Sequence, residues 1–239
     1  MQRKILRTIA LGSFALVVGL GAAGQAQAQD VKAPYPNMAP LDQYLMERKT
    51  EIALARSAAP ESISRDAEVR VLGRHGYETA VEGKNGFVCV VERSWMSPFD
   101  FPEFWNPKMR GPICFNPPAV RSILPLTFKR TELVLAGLSK AQIVDSIKAF
   151  DKKGLPALEP GGMSYMMSSQ GYLGDSAGHW VSHLMFYVPL TDATAWGAGL
   201  PGSPVILFPQ FGGAPEPVTV FIIPVGKWSD GTPVANHGH

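Results

Sequence analysis

Only two cysteines, few charges and no cluster of lysines or arginines set the first bounds on this chain. With Cys89 and Cys114 alone there is no Cys-x-x-Cys pair, so dithiol redox catalysis has no sequence support. Without a basic cluster nothing can displace counterions from a phosphate backbone, and nucleic acid is not an expected partner. The chain also lacks His-Glu-x-x-His and the Gly-x-Ser-x-Gly elbow, the signatures of two common hydrolytic sites. Internal repeats and low-complexity tracts are absent too.

What is present begins at the N-terminus. Arg3, Lys4 and Arg7 precede an apolar run from Ile9 to Gly21, and Ala26-Gln27-Ala28 supplies small residues around a cleavage point. That order reads as a secretory signal peptide at residues 1–28, cut after Ala28. The competing reading is an uncleaved anchor, but the run is shorter than the ~20 residues that span a bilayer. No cysteine near the cleavage region accepts a lipid, and no later segment is long and apolar enough to cross a membrane. Losing three basic residues takes the formal charge from +2 to −1. The remaining 29–239 segment is long enough for one globular domain, and its location is expected to be periplasmic or secreted.

An exported protein meets an oxidising compartment, so Cys89 and Cys114 are expected to form a disulfide. Two buried free thiols, or a nucleophile, are the alternatives. The 24 glycines and 21 prolines predict many turns rather than a helical bundle.

Residues 29 to 38 read as an exposed lead-in. Pro40, Asp42 and the stripe Leu41, Tyr44, Leu45, Ile52 predict a helix from Pro40 to Ala58, ended by Pro60. The period then changes. Val69 and Val71 alternate with polar residues, Tyr77 to Val81 looks extended, and Phe87 to Val91 returns after the Asn85-Gly86 turn. Together these predict a three-stranded antiparallel meander. Between Ser97 and Pro118, six prolines interleave with Phe99, Phe101, Phe104, Trp105 and Phe115. Proline blocks ladder hydrogen bonds, so this segment is expected to hold no strand. It is either a packed excursion or an aromatic-lined binding surface.

Helices are expected from Ala119 to Lys153. The last opens on a capping box of Ser139 and Gln142, with Leu138 and Ile143 at staple positions. Four strands follow, at Met163–Ser168, Ser182–Val188, Val205–Phe208 and Val218–Ile223. The fourth is apolar on both faces and is expected to lie centrally. Strands, helices, then strands again predict an α+β fold in a single compact domain, with antiparallel strands in the N-terminal meander and the C-terminal third.

Three blocks occur together: Gly76-Tyr77-Glu78 leading to Asn85-Gly86-Phe87-Val88-Cys89, Met163 to Ser168 with Tyr172-Leu173-Gly174, and His183-Leu184-Met185-Phe186-Tyr187. In these the chain resembles a group of uncharacterised secreted bacterial proteins. The resemblance implies a bacterial exported origin and one globular unit, and brings no activity, cofactor or catalytic residue.

Candidate chemistry gathers between Ser164 and His183. Ser164 or Ser168 as nucleophile, His179 or His183 as base and Asp175 as orienting acid would supply a hydrolytic triad. A metal pair of His179 and His183 is disfavoured, since four strand residues span roughly 13 Å. His75, beside Arg74 and Tyr77, reads as an exposed turn histidine, and His237 and His239 as a frayed tail. No metal or cofactor is expected. The favoured reading is non-catalytic binding of a small molecule, glycan or envelope partner, with Phe99, Phe104, Trp105, Tyr165 and Trp180 as candidate binding residues. A hydrolase or metal-dependent enzyme is the alternative.

Overall fold

Alternating apolar residues in short runs build most of this structure. A computed structural model describes residues 34–154, 156–175, 181–208 and 216–235. The expected signal and its cleavage point, His179, Trp180, His237 and His239 lie outside these. The strands are β1 (Glu68–Gly73), β2 (Gly76–Val81), β3 (Val88–Glu92), β4 (Gly111–Phe115), β5 (Met163–Met166), β6 (His183–Pro189), β7 (Ile206–Leu207) and β8 (Val218–Pro224). They form one mixed sheet in the order β2-β1-β3-β4-β5-β6-β8-β7. The helices are α1 (Arg48–Arg56), α2 (Glu61–Ser64), α3 (Pro117–Ser122), α4 (Leu124–Leu135) and α5 (Lys140–Gly154). The fold is α+β. Among the described residues no helix is long and apolar enough to cross a membrane.

Strand alternation gives the sheet two buried faces. Val69, Cys89, Val91 and Cys114 meet Leu54, Ala55 and Ala58 on one side. Val88, Val90, Ile113, Phe115, Met185 and Tyr187 meet Ala119, Ile123 and Leu124 on the other. A third cluster joins Tyr44, Trp95, Phe104 and Trp105 to Val134, Ile143 and Ile147 of the helices. Each fully buried large apolar side chain contributes roughly 1.5–3 kcal/mol. Cys89 and Cys114 are directly opposed on β3 and β4 and form the expected disulfide.

Several expectations are corrected. The helix from Pro40 to Ala58 is interrupted: a 3-10 turn at Leu41–Gln43 precedes α1. Tyr44 turns inward, its hydroxyl donating to Trp105 O at 2.8 Å. Its carbonyl accepts from Arg93 Nε at 2.8 Å instead of from a helical N–H. Glu47 then caps α1, accepting from Thr50 N. The lead-in is not wholly exposed either, because Tyr35 and Met38 pack against the third cluster.

The N-terminal strands are not a simple meander. β2 pairs antiparallel with β1, but β3 pairs with β1 in parallel, through Glu68 with Val88 and Val69 with Cys89. The Asn85-Gly86 turn exists, with Gly86 at φ +77° and Asn85 Oδ1 accepting from Phe87 N. It redirects the chain across the start of β1 rather than back along β2. Lys84 N donates to Asp66 O at 2.7 Å, and Glu68 N to Phe87 O at 2.9 Å. Burial explains the choice: β3 is apolar on both faces, whereas β2 carries exposed Glu78 and Thr79 and suits an edge.

The proline-rich segment does contain a strand, β4, in the middle of the sheet. Arg110 exchanges backbone hydrogen bonds with Tyr172, and Asn116 N donates to Met163 O. Even-numbered residues therefore aim their backbone groups toward the β5 side. Pro112 belongs to that set, but it falls between the Arg110–Tyr172 bridge and the Cys114–Tyr165 pair, where no ladder partner stands among the described residues. Its missing N–H leaves nothing unpaired. Pro117 and Pro118 open α3, capped by Asn116.

The capping box of α5 forms as expected, with Ser139 N donating to Gln142 Oε1 and Gln142 N to Ser139 Oγ. β8 is covered on both faces but is not central, since only β7 lies outside it. Its Phe221 is buried against Trp196, at 4.8 Å between rings.

Candidate functional site

On the α4 side, sheet and helix do not close completely. A cavity of about 370 Å³ remains. Its floor is Phe115 of β4, Met166 of β5, Met185 and Tyr187 of β6, and Val220 and Ile222 of β8. These residues share one face because they alternate with Cys114, Tyr165, Phe186 and Phe221. The roof is Ile123, Leu126 and Thr127, and one rim is Met96, Phe99 and Phe101 from the proline-rich segment.

Few polar side chains reach this apolar space. Glu92 ends β3 on the same face as Val88 and Val90, and its carboxylate accepts from Thr127 Oγ1 at 3.3 Å. Removal from water is the dominant influence on it and outweighs the attraction of Arg130. The carboxyl pKa is pushed up to about 7. His183 opens β6, and its Nδ1 lies 2.6 Å from Val181 O. A carbonyl only accepts, so Nδ1 carries the proton. Burial holds the ring's pKa below the ordinary histidine value, which favours the neutral imidazole.

Arg130 forms the firmest polar junction. Its Nε and Nη2 donate to Glu216 Oε1, and Nη1 donates to Trp95 O and Ser97 O. The guanidinium also lies over the Phe99 ring, 4.3 Å from its centroid. One side chain of α4 thereby holds the aromatic rim and the approach to β8 around the cavity mouth.

The residues predicted from sequence separate. Ser164 is fully buried, its hydroxyl 2.8 Å from Tyr187 Oη. Ser168 is buried against Ser57, with 2.7 Å between their hydroxyls. Asp175 is exposed and accepts from Tyr35 Oη at 2.5 Å and from Tyr172 Oη. Those hydrogen bonds, Tyr172's first, lower its pKa. The two tyrosines and Asp175 tie the lead-in to the Gly174 loop at the surface. His183 does line the cavity. His179 and Trp180 lie outside the described residues. Among the candidate binding residues, Phe99 lines the cavity, whereas Phe104 and Trp105 are core, edge to face at 4.7 Å. Tyr165 faces the opposite side of the sheet and packs on Phe87. His75 is exposed in the β1–β2 turn, where neighbouring Arg74 pairs with Asp42.

Sequence reading missed Glu92, Thr127, Arg130 and Glu216. The available signal was parity: Glu92 continues the Val88, Val90 face, an acid where an apolar residue would be expected. Among the described residues no group of three histidines, cysteines or acids could hold a metal ion. No family model, curated protein or solved structure matches the chain.

Proposed function

We propose that this protein is exported and binds a small apolar molecule, without chemical turnover, in the cavity between its sheet and α4. The cavity carries this reading: its volume falls within the range of small-molecule sites, and its walls are aromatic, Met-rich and aliphatic with few polar groups. An apolar ligand suits such walls better than a glycan, which needs many hydrogen-bond partners. The partners already held by Ser164 and Asp175 favour binding over hydrolysis. Export is supported by the charge, apolar run and small-residue order of residues 1–28 and by the formed disulfide.

The test is titration of the purified protein with diphenylhexatriene, an uncharged hydrocarbon whose fluorescence rises in apolar surroundings. Saturable one-to-one binding is expected, abolished in Val220→Trp, where the added ring fills the cavity. A wild-type protein that gives no saturable signal, or a Val220→Trp variant that binds equally well, overturns the reading.

A further inference from the structure

Four charged side chains line the cavity, and three of them are held in ion pairs. Arg130 and Glu216 neutralise one another. Arg93 also contributes to the wall, but its guanidinium is engaged by Glu51, Tyr44 O and Val91 O. Glu92 remains. Its one hydrogen bond among the described residues is the 3.3 Å contact with Thr127, and it enters no ion pair there. A carboxyl facing an apolar space is unfavourable when ionised and uncompensated, so the cavity is electrostatically complete only when something else supplies the positive charge.

We infer that the ligand is a lipophilic amine, whose protonated nitrogen pairs with Glu92 while its apolar body lies on the Phe115, Met185, Tyr187 and Val220 floor. This rests on the binding reading above and gives that site a ligand class. Three features favour an amine over other amphiphiles. An ammonium donates charge-assisted hydrogen bonds to a carboxylate that still has acceptor capacity. A carboxylate ligand would meet Glu92 as a like charge, and an alcohol would leave the ionised form uncompensated. Aromatic faces at Phe99, Phe115 and Tyr187 also tolerate a cation, as Arg130 over Phe99 already shows.

The polar groups that act on Glu92 or share the cavity wall with it are its neighbour Arg93, Thr127 and Arg130 from α4, Tyr77 from β2, His183 and Tyr187 from β6, and Glu216 before β8. Burial raises both tyrosines and lowers His183. Glu92, raised to about 7, changes charge near neutrality, and His183, held below its ordinary value, gains charge only toward the acid end, where it too opposes a cation, so the preference for amine should grow as pH rises through that region.

The experiment is displacement of diphenylhexatriene by decylamine, decanol and decanoate, each below its aggregation threshold, at about pH 5.5 and about pH 8.5. At the higher pH, decylamine should displace the probe at roughly tenfold lower concentration than decanol, with decanoate weakest. The advantage should narrow at the lower pH, where a proton occupies Glu92. In Glu92→Gln the probe should still bind and the amine advantage should vanish. Probe binding with equal decylamine and decanol, with decanoate strongest, or with the preference intact in Glu92→Gln overturns this inference alone. Absence of probe binding in the wild type overturns the binding reading and this inference with it. Should Glu92→Gln fail to fold, the wild-type pH comparison decides.

Discussion

Arg130 and Glu216, 86 positions apart in sequence, are joined by two hydrogen bonds from one guanidinium to one carboxylate oxygen, at 2.7 and 2.5 Å. Both are nearly buried, at 8% and 5% side-chain exposure, so truncating one partner leaves a buried charge alone. Arg130→Met is expected to lower unfolding free energy by about 3–5 kcal/mol, while Arg130→Met/Glu216→Leu recovers most of the loss. Urea denaturation midpoints decide this. A single variant as stable as wild type would mean the pair does not hold the cavity rim.

The disulfide is buried in the centre of the sheet and closes a loop of 25 residues. Replacing both cysteines by alanine should cost about 3–4 kcal/mol, chiefly by freeing the unfolded chain. Equilibrium denaturation of the double variant, compared with the oxidised parent, measures it. A loss below about 1 kcal/mol would contradict the chain-entropy account.

Glu92 makes a specific pH prediction. Its folded-state pKa lies above the value of 4.5 for an unperturbed glutamate, so below that value it is protonated in both states and has no effect on stability. As pH rises toward 7 the unfolded chain loses this proton more readily, and stability falls. Glu92→Gln should therefore match wild type near pH 4 and exceed it near pH 8, by up to roughly 3 kcal/mol. His183, held below its usual value, acts in the opposite sense as pH falls, but it is common to both proteins and cancels in their difference. Thermal unfolding across this window tests the divergence. A variant no more stable than wild type at pH 8 would show that Glu92 is not destabilised when ionised.

Gly83 allows the chain to cross β1. A Cβ there would lie 2.2 Å from Glu68 N and 2.8 Å from its Cα, and backbone cannot move aside as a flexible side chain could. Gly83→Ala should lose more than about 3 kcal/mol or fail to accumulate as folded protein. Gly226→Ala, where a Cβ meets nothing within 4 Å, is the matched control and should stay within about 0.5 kcal/mol of wild type. Similar losses in the two variants would remove the steric explanation.

Local chemistry was legible wherever a signal acts within a few residues. The Ser139–Gln142 capping box, the strand alternation at Val69 and Val71, and the positive-φ turn at Gly86 all appear where their residues place them. Reading failed where a distant partner decides. Tyr44 leaves the helix because Arg93 and Trp105 take its polar atoms, and neither is a helical neighbour. Pro112 sits in a strand because the gap opposite it depends on where β5 and Tyr172 run.

The same division runs through the candidate site. Ser164, Asp175 and His183 attract attention for their side-chain chemistry, yet Ser164 and Asp175 are tied to tyrosines in different places. Glu92 and Arg130 are ordinary in sequence and gain their meaning from burial, a property of the assembled sheet and α4. By itself the sequence determined the α+β class, the cysteine pair, the α5 capping box and which residues are apolar, because composition, period and short-range hydrogen bonding are local. Tertiary structure alone decided the parallel placement of β3, the strand at Pro112 and the cavity with Glu92 in its wall. Those depend on which surfaces meet, and desolvation acts on a group only after its surroundings have closed around it.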